Sequence, residues 1–403
     1  MTITEEYQKI KQNGKKLDMS RGKPSSEQFD KMEKLLSQIN INKDCYSENG
    51  TDCRNYGGLD GIPEAKRVFS SMLEIPEENI AVGGNSSLNL MYDLIAQAFV
   101  FGIRGQKPWS AQKTKFLCPV PGYDRHFAIT EHFGIEMISV PMLPTGPDMD
   151  IVEKLVSTDS SIKGIWNVPK YSNPTGVTYS DDTVLHFASL KPAAKDFCII
   201  WDDAYCVHDL NDTPDNLLNL FAQAQKFKNE NNVYIFASTS KITYSGAGIS
   251  CIASSKDNIK EYLNELSIHT ICNDKLNMLR HAKLLQSKEN VLQIMDMHKS
   301  VISKKFDLCI EYFKNELSDI NGVSWSKPNG GYFITLYVPF GKAKKIVSLS
   351  KDAGLILTSA GAGFPYNIDP DDSVIRIAPT YPTLIELENA LKLLCICVKL
   401  GCQ

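Results

Sequence analysis

The sequence predicts an α/β protein in which helices cover a mostly parallel sheet. The first sign is three apolar runs, residues 162–168, 197–201 and 233–237, whose length and β-branched and aromatic content are typical of buried strands. Helical stretches near 180–190 and 215–228 separate these runs, as parallel crossovers require. The runs are apolar on both faces, which indicates a sheet covered on both sides.

Length and a change of pattern predict a second, smaller α+β unit. The chain has 403 residues, enough for two domains with a large core. Past residue 320 the pattern changes from mainly helical to short strands with two helices. We expect a large domain over residues 45–290 and a small domain formed by residues 1–44 and 291–403.

Local periodicity predicts the remaining elements. Helices are expected where apolar residues recur at helical spacing: residues 1–16, 28–40, a helix that starts near Pro63, 88–99, 124–133, 149–157, most of 256–320, 341–353 and 383–400. Further strands are expected at short apolar runs: residues 80–82, 116–118, 136–140, 249–253, 323–325, 331–338, 355–358 and 374–378. Segment 17–24 is expected to be extended, 42–53 a polar linker and 54–64 a glycine-rich loop.

Composition excludes several classes of protein. Hydrophobic residues make up 43% and charged residues 22%, and the net charge is -4 with no basic stripe, so no nucleic-acid surface is expected. The N-terminus lacks a secretory pattern and nothing resembles a membrane span, which predicts a cytoplasmic protein without a membrane partner. The 11 cysteines form no Cys-x-x-Cys pair and the 7 histidines are isolated, so we expect neither a disulfide frame nor a metal site.

One lysine is placed for chemistry. Lys241 comes just after the apolar run 233–237, and the residues that follow it, 245–248, are too small to cover it. Desolvation lowers the pKa of such an amine, and a less protonated amine can attack an aldehyde to form an imine. A lone lysine at a strand end is more often a surface lysine, so other residues must support this interpretation.

Polar residues at neighbouring strand ends provide that support. Asn173, Asp202 and Tyr205 follow two of the predicted parallel strands, and such sheets bind ligands at the carboxyl ends of their strands. Small polar residues at 83–87 precede a helix, where free backbone N–H groups favour an anion such as phosphate, although a plain helix cap is more common there. Tyr56 stands alone among the glycines of the loop over residues 54–64.

One ligand requires all of these groups, and the motifs resemble a known family. Pyridoxal phosphate has an aldehyde, a ring nitrogen, a phenolic oxygen and a phosphate, and each needs one such partner. The sequence resembles the class I, fold-type I aminotransferases from about residue 17 to 400, in the bacterial aspartate aminotransferase branch related to aminotransferase-like domains of transcription regulators. The motifs are Tyr56-x-x-x-x-Gly61, Asn85-Ser86-Ser87, Pro-Gly-Tyr123-Asp-Arg-His, Asn173-Pro-Thr-Gly, Asp202-x-x-Tyr205, Ser238-x-x-Lys241 and Arg376.

The resemblance implies a fold and an assembly. It implies a large domain with a mostly parallel, seven-stranded sheet, a smaller α+β domain, and a homodimer with the active site at the subunit interface.

The resemblance also implies a role for each motif residue. Lys241 would bind the cofactor and move the substrate proton, Asp202 would keep the ring nitrogen protonated, Tyr205 and Asn173 would bind the phenolic oxygen, and Tyr123 would stack on the ring. Asn85, Ser86, Ser87 and Ser238 would hold the phosphate, joined by Tyr56 of the neighbouring subunit.

The predicted activity is transfer of an amino group from aspartate or glutamate to 2-oxoglutarate or oxaloacetate. Arg376 would grip the substrate α-carboxylate, with Asn173, Gly22 and Arg21 also at the substrate. A second carboxylate needs a second cation, and the candidates are Arg21, Arg54, Arg125 and Lys170.

Alternative activities share this scaffold. They are a transaminase for alanine or aromatic amino acids, a lyase or decarboxylase, and a cofactor-bound sensor without enzymatic activity. One residue departs from the family pattern, because Ile249 stands where an arginine commonly neutralises the phosphate. The resemblance therefore does not assign the group that balances the charge of the phosphate at this position.

Overall fold

The computed structural model describes residues 2–12, 14, 16–40 and 43–403. Residues 1, 13 and 15 of the predicted first helix and residue 42 of the predicted linker lie outside the described residues. The strands are, in chain order, β1 (Leu17–Asp18), β2 (Ile80–Gly83), β3 (Lys115–Val120), β4 (Glu136–Leu143), β5 (Gly146–Pro147), β6 (Ile162–Asn167), β7 (Cys198–Asp202), β8 (Val233–Ser238), β9 (Ser250–Ala253), β10 (Ser324–Trp325), β11 (Ile334–Tyr337), β12 (Leu355–Ile356) and β13 (Val374–Ile377).

The α-helices of the described residues lie between these strands. They are, in chain order, α1 (Ile3–Gln12), α2 (Ser26–Leu36), α3 (Pro63–Leu73), α4 (Ser87–Val100), α5 (Asp124–His132), α6 (Met149–Thr158), α7 (Asp181–Ser189), α8 (Leu220–Lys226), α9 (Lys256–His269), α10 (Lys275–Leu285), α11 (Lys288–Leu317), α12 (Ala343–Asp352) and α13 (Leu384–Cys402). The predicted helical region 256–320 is three helices, because Asp274 and Ser287 accept hydrogen bonds from the first turns of α10 and α11 and so cap two new starts.

The large sheet confirms the predicted α/β class. Its strand order is β2-β9-β8-β7-β6-β3-β4-β5. The pairs among β4, β3, β6, β7 and β8 are parallel, whereas β2, β9 and β5 pair antiparallel with their neighbours. The sheet therefore has one strand more than the seven predicted, and the extra one is β5, a two-residue strand at the edge that has too little apolar pattern to be recognised in the sequence.

Both faces of this sheet are buried, as the continuous apolar runs predict. Along β7, Ile199 and Trp201 lie in one hydrophobic cluster, while Cys198 and Ile200 lie in the cluster on the opposite face. Alternate side chains of a strand point to opposite faces, so helices must cover both. β6, β7 and β8 each end in a polar residue, so these side chains lie at the carboxyl ends of the strands.

The C-terminal part forms a separate small sheet in the order β10-β11-β13, which is antiparallel. The N-terminal segment joins this part, because Leu17 of β1 pairs with Leu355 of β12 in a parallel two-stranded sheet. A third hydrophobic cluster holds α11 and α13 against these strands. The boundaries predicted between the two domains, at residues 44/45 and 290/291, stay a prediction. Within the described residues, none of the helices has the length and apolar character needed to cross a membrane.

Candidate active site

A cavity of about 330 Å³ lies at the carboxyl ends of the central strands. It collects side chains from the large sheet, from the small sheet and from the N-terminal segment. The sequence-predicted site residues that line it are Arg21, Gly22, Ser86, Ser87, Tyr123, Asn173, Asp202, Tyr205, Ser238, Lys241 and Arg376. Tertiary structure therefore brings eleven positions, spread over more than 350 residues, to one place.

Lys241 lies in the turn after β8. The backbone of this turn is closed by a hydrogen bond from Ile242 N–H to the carbonyl of Thr239. The Lys241 Nζ lies 4.9 Å from the ring centroid of Tyr205 and 5.9 Å from that of Tyr332. Burial lowers the pKa of the Lys241 amine, and the negative charge of Asp202 opposes that shift only in part. The amine is thereby more readily available in its neutral, nucleophilic form.

Asp202 is the last residue of β7 and is 3% exposed. Its Oδ2 lies 3.1 Å from Nε2 of His126. Its Oδ1 is buried and has no hydrogen-bond partner among the described residues. Because an unpaired buried carboxylate oxygen is costly, this atom requires a donor from a bound group. Asp203 lines a different cavity, together with Lys170 and Cys206, as the alternation of side chains along an extended chain predicts.

His126 was not predicted as a site residue, although it stands in the motif that carries Tyr123. The imidazole is 1% exposed and stacks on the indole of Trp166 at a centroid distance of 4.5 Å and an interplanar angle of 11°. The ring of Tyr123 packs edge-on against it at 4.8 Å. His126 comes three positions after Tyr123, the N-cap residue of α5, and this spacing places both residues on one side of the helix. This spacing was the available signal.

Arg376 lies on β13, on the side of the cavity that the small sheet forms. Its Nη1 donates to Oδ1 of Asp124 at 2.8 Å and to Oδ1 of Asn173 at 3.3 Å. Its Nε and Nη2 both donate to Oγ1 of Thr358, at 3.3 and 3.1 Å. The guanidinium also lies 5.0 Å from the ring centroid of Phe333. The partners Asp124, Thr358 and Phe333 were not predicted, because each comes from a distant part of the chain.

Gly22 is fixed by the same aromatic ring. A Cβ atom at this position would lie 2.6 Å from Cζ of Phe333, so a larger residue would collide with the ring. The N-terminal segment can therefore pass close beside Phe333, and Arg21 lines the cavity next to it. This places Arg21 near the Arg376 end.

Hydroxyl groups line the cavity where a phosphate was predicted. Ser86 is the N-cap residue of α4, yet its side chain makes no capping hydrogen bond. Ser238 donates to Ser240 Oγ at 3.0 Å, and Ser240 also lines the cavity although it was not predicted. Free N–H groups at a helix start, combined with hydroxyls, favour an anion. Ser86 therefore lies where an anion-binding residue is expected, and its role at a phosphate stays a prediction.

Two predicted cofactor residues do not line the cavity of their own chain. The Asn85 side chain donates to the carbonyl of Ser245 at 3.4 Å, and its own carbonyl accepts from Ser240 Oγ at 3.1 Å, so it supports the turn beside the cavity. The Tyr56 side chain is 76% exposed. Its predicted role lies in a neighbouring subunit, and that role stays a prediction.

The four candidate cations for a second carboxylate differ in position. Arg21 and Arg125 line the cavity, and their side chains make no ion pair or hydrogen bond within the described ranges. Arg54 is held by Asp52 at 2.8 Å and does not line it. Lys170 lies at the other cavity, with its Nζ 2.9 Å from Asp209 Oδ1. The structure thus favours Arg21 and Arg125.

Ile249 departs from the family pattern for a structural reason. The residue is 1% exposed and packs into the hydrophobic cluster on one face of the large sheet. Its backbone N–H donates to Oγ1 of Thr239 at 3.0 Å. An apolar side chain in this core cannot pair with an anion, so position 249 provides no cation to the cavity.

Comparison with known proteins identifies the family of the chain. The family model described as aspartate amino-transferase matches residues 1–403. A protein of Mycolicibacterium smegmatis that is named an aminotransferase is 46% identical to this chain, and the match covers 98% of this chain and 93% of that protein. The aspartate aminotransferase of Corynebacterium glutamicum is 42% identical over 99% of this chain and 92% of its own length.

Solved structures give the same result. The crystal structure of an aspartate transaminase from C. glutamicum superposes with a TM-score of 0.95 at 42% identity, covering 99% of this chain and 94% of that one. The α-aminoadipate aminotransferase LysN of Thermus thermophilus, complexed with N-(5'-phosphopyridoxyl)-L-leucine, shares the fold with a TM-score of 0.77 at 16% identity. The match of the family model over the whole chain, together with these identities, shows that this protein belongs to the aspartate aminotransferase family and is an aminotransferase.

Proposed function

We propose that the chain binds pyridoxal phosphate in this cavity and transfers the amino group of aspartate or glutamate to 2-oxoglutarate or oxaloacetate. The observation that carries the proposal is that one cavity at the carboxyl ends of β7 and β8 contains both Lys241, whose pKa is lowered, and Asp202, a buried carboxylate with one oxygen that has no partner among the described residues. Pyridoxal phosphate, when bound, supplies an aldehyde that accepts the amino group and a protonated ring that withdraws electrons.

The donor set fits this cofactor. The unpaired Oδ1 of Asp202 can accept a hydrogen bond from a protonated ring nitrogen, and His126 fixes the other oxygen of the same carboxylate. Tyr205 and Asn173 would bind the phenolic oxygen, and Tyr123 would pack on the ring. Ser86, Ser87, Ser238 and Ser240 would hold the phosphate, since all four residues line the cavity and the hydroxyls of Ser238 and Ser240 are in contact.

Lys241 would serve as the base and acid of the reaction. Its neutral amine can take a proton from the substrate Cα, and its ammonium form can return one. Burial keeps the pKa of the Lys241 amine below that of an ordinary lysine, which favours both steps near neutral pH. Burial also raises the pKa of the Tyr205 phenol, so this hydroxyl stays protonated and can donate a hydrogen bond.

The charge of the cavity supports a dicarboxylate substrate. Among its described lining residues, five are basic, Arg21, Lys23, Arg125, Lys241 and Arg376, and two are acidic, Asp124 and Asp202. A phosphate carries about 1.5 to 2 negative charges. An amino acid with one carboxylate has no net charge, whereas aspartate and glutamate add one negative charge. Lys241 would be occupied by the cofactor, and the other four cations then match the two carboxylates and the phosphate. An acidic donor is favoured by the charge of Arg21, which lines the cavity and makes no ion pair within the described residues.

We assign the two unpaired arginines to different anions. Arg21 lies in the N-terminal segment beside Phe333 and hence near Arg376, so it would bind the second carboxylate of the substrate. Arg125 lies on α5 with Tyr123, so it would replace the arginine absent at position 249 and balance the phosphate.

A donor panel with matched variants tests the substrate assignment. Aspartate, glutamate, alanine and phenylalanine are assayed with 2-oxoglutarate in the wild type and in Arg21→Ala, Arg125→Ala and Arg54→Ala. Losing a charge-assisted pair costs about 1.5 to 3 kcal/mol, so Arg21→Ala should lower kcat/KM for aspartate about 10- to 100-fold and leave alanine almost unchanged. Arg54→Ala is the control and should change neither. A wild type that prefers alanine or phenylalanine would rule out the dicarboxylate assignment.

The lysine assignment has its own test. Borohydride reduction followed by peptide mapping should find the cofactor attached to Lys241, and Lys241→Ala should lower kcat about 10²- to 10⁴-fold. Attachment to any other lysine would refute the whole site.

We also propose a homodimer in which Tyr56 reaches the phosphate in the partner's cavity. The exposure of this large aromatic side chain in a single chain supports the idea. Sedimentation at assay concentration should show a dimer, and Tyr56→Phe should raise the Kd of the cofactor. A fully active monomer would contradict this proposal.

A further inference from the structure

The pair formed by Asp124 and Arg376 is unusual for a carboxylate site, because the guanidinium already holds a carboxylate of its own chain. Asp124 Oδ1 lies 2.8 Å from Arg376 Nη1, and the two side chains are 28% and 10% exposed. Asp124 is the first residue of α5 and lines the cavity. Its carboxylate therefore lies where Arg376 faces the substrate space.

The donors of Arg376 are almost fully used. A guanidinium has five N–H groups. Nη1 serves Asp124 and Asn173, while Nε and Nη2 serve Thr358. These four bonds leave a single N–H on Nη2. A bidentate bond to an incoming carboxylate needs two parallel donors, so one existing acceptor must leave.

Asp124 is the acceptor best placed to leave. Asn173 is 4% exposed, and Thr358 is tied in turn by a hydrogen bond to the carbonyl of Ser20. Asp124 is more exposed than Arg376 and can be rehydrated when it is released. Exchange of one carboxylate for another also conserves the charge pairing of the guanidinium.

We propose that Asp124 is an internal competitor for the substrate carboxylate and so sets the affinity of the site. This inference rests on the proposed role of Arg376 in binding the α-carboxylate. Every incoming carboxylate exchanges one ion pair for another and therefore gains less from Arg376 than it would from an unpaired guanidinium. A ligand with a second anchor, such as a carboxylate at Arg21, then fills the site at concentrations at which a monocarboxylate leaves it empty.

Binding of unreactive carboxylates tests the competition directly. Succinate and propionate are titrated by calorimetry into the cofactor-loaded wild type and into Asp124→Asn and Asp124→Ser. Removing the competing carboxylate should lower the Kd of both ligands by about tenfold. Asp150→Asn is the matched control, because Asp150 is also in the first turn of a helix, is exposed and does not line the cavity, and its Kd values should equal those of the wild type.

A titration at high salt distinguishes direct competition for the guanidinium from a change in the long-range electrostatic potential of the cavity. At about 1 M salt the Debye length is about 3 Å, so attraction through space is screened. The ratio of wild-type to variant Kd should persist there if Asp124 occupies the guanidinium. A ratio that falls to one at high salt would overturn the proposal.

Two further outcomes distinguish a failure of the Asp124 proposal from a failure of the proposed role of Arg376. If the Kd values of both Asp124 variants equal or exceed those of the wild type while both variants unfold at wild-type temperatures, Asp124 orients Arg376 and does not compete. If Arg376→Lys in the wild-type background leaves succinate and propionate binding unchanged, Arg376 is not the carboxylate site, and the proposed function fails at that point independently of Asp124.

Discussion

The two ends of the cavity hold their charges in different ways. At the sheet end, Asp202 and His126 are 3% and 1% exposed and make their contact inside the large sheet and its helix. At the other end, Arg376 and Asp124 are 10% and 28% exposed and join the small sheet to α5. Buried partners cannot be replaced by water, whereas partly exposed partners can exchange.

This difference matches the chemistry required at each end. A proton has to move at one fixed atom, so the groups around Lys241 should be preorganised. Substrates have to enter and leave, so the carboxylate end should pair weakly with whichever anion is present. Changes at the sheet end should therefore lower kcat, while changes at the carboxylate end should alter KM and affinity.

The largest difference in kcat is expected between substitutions of Asp202, the last residue of β7, and of Asp203, the residue after it. Asp202→Ala should lower kcat about 10²- to 10³-fold, because preorganised charge at the reacting group is lost. Asp203→Ala should have little effect, since its side chain lines another cavity, where burial raises its pKa to about 7. Steady-state kinetics of the two variants checks this, and equal losses would contradict the separation of the two carboxylates.

Removing the guanidinium at the other end should weaken every substrate alike. Arg376→Ala should lower kcat/KM about 10- to 100-fold for aspartate and for alanine, because both present an α-carboxylate. The kinetics of both donors are compared with those of Arg54→Ala, a control outside the cavity. A loss confined to aspartate would place the second carboxylate, instead of the first, at Arg376.

Removing His126, the residue that contacts Asp202, should lower kcat less than removing Asp202 itself. His126→Phe keeps the ring stacked on Trp166 but removes the contact to Asp202, and kcat should fall about tenfold with KM little changed. His132→Phe is the control, because this residue lies at the exposed end of the same helix. The pH profile of kcat should shift only in His126→Phe, which a purely structural defect would not cause.

The smallest effect at neutral pH is expected for His281, which contacts Thr243 two residues after Lys241. His281 bonds Thr243 Oγ1 and the carbonyl of Asn277, both at 2.8 Å, and burial lowers its pKa to about 4. The unfolded chain takes up this proton near pH 6.5, so stability is fully present above that pH and is lost as pH falls toward about 4. His281→Gln should flatten the dependence of the unfolding free energy on pH between those values. An unchanged slope would show that His281 does not contribute to it.

Much of the fold could be predicted because its signals are local. The apolar runs that became β6, β7 and β8 and their hydroxyl and carboxyl ends are contiguous in sequence, and Lys241, Asp202 and Asn173 lie at the cavity as predicted. The edge strand β5 was missed because two residues carry no period, and the starts of α10 and α11 were missed inside one long helical pattern.

The sequence by itself determined which residue types stand at the ends of which strands, since strand length, side-chain alternation and turn residues depend on near neighbours. Only the tertiary structure decided which distant groups meet. Asp202 and His126 are 76 residues apart, and Arg376 and Asp124 are 252 residues apart. It also buried Ile249 in the core and placed Arg21 and Arg125 at the cavity, where neither forms an ion pair with another described residue. Contacts of this range depend on how the sheets and helices pack, and no local pattern records that packing.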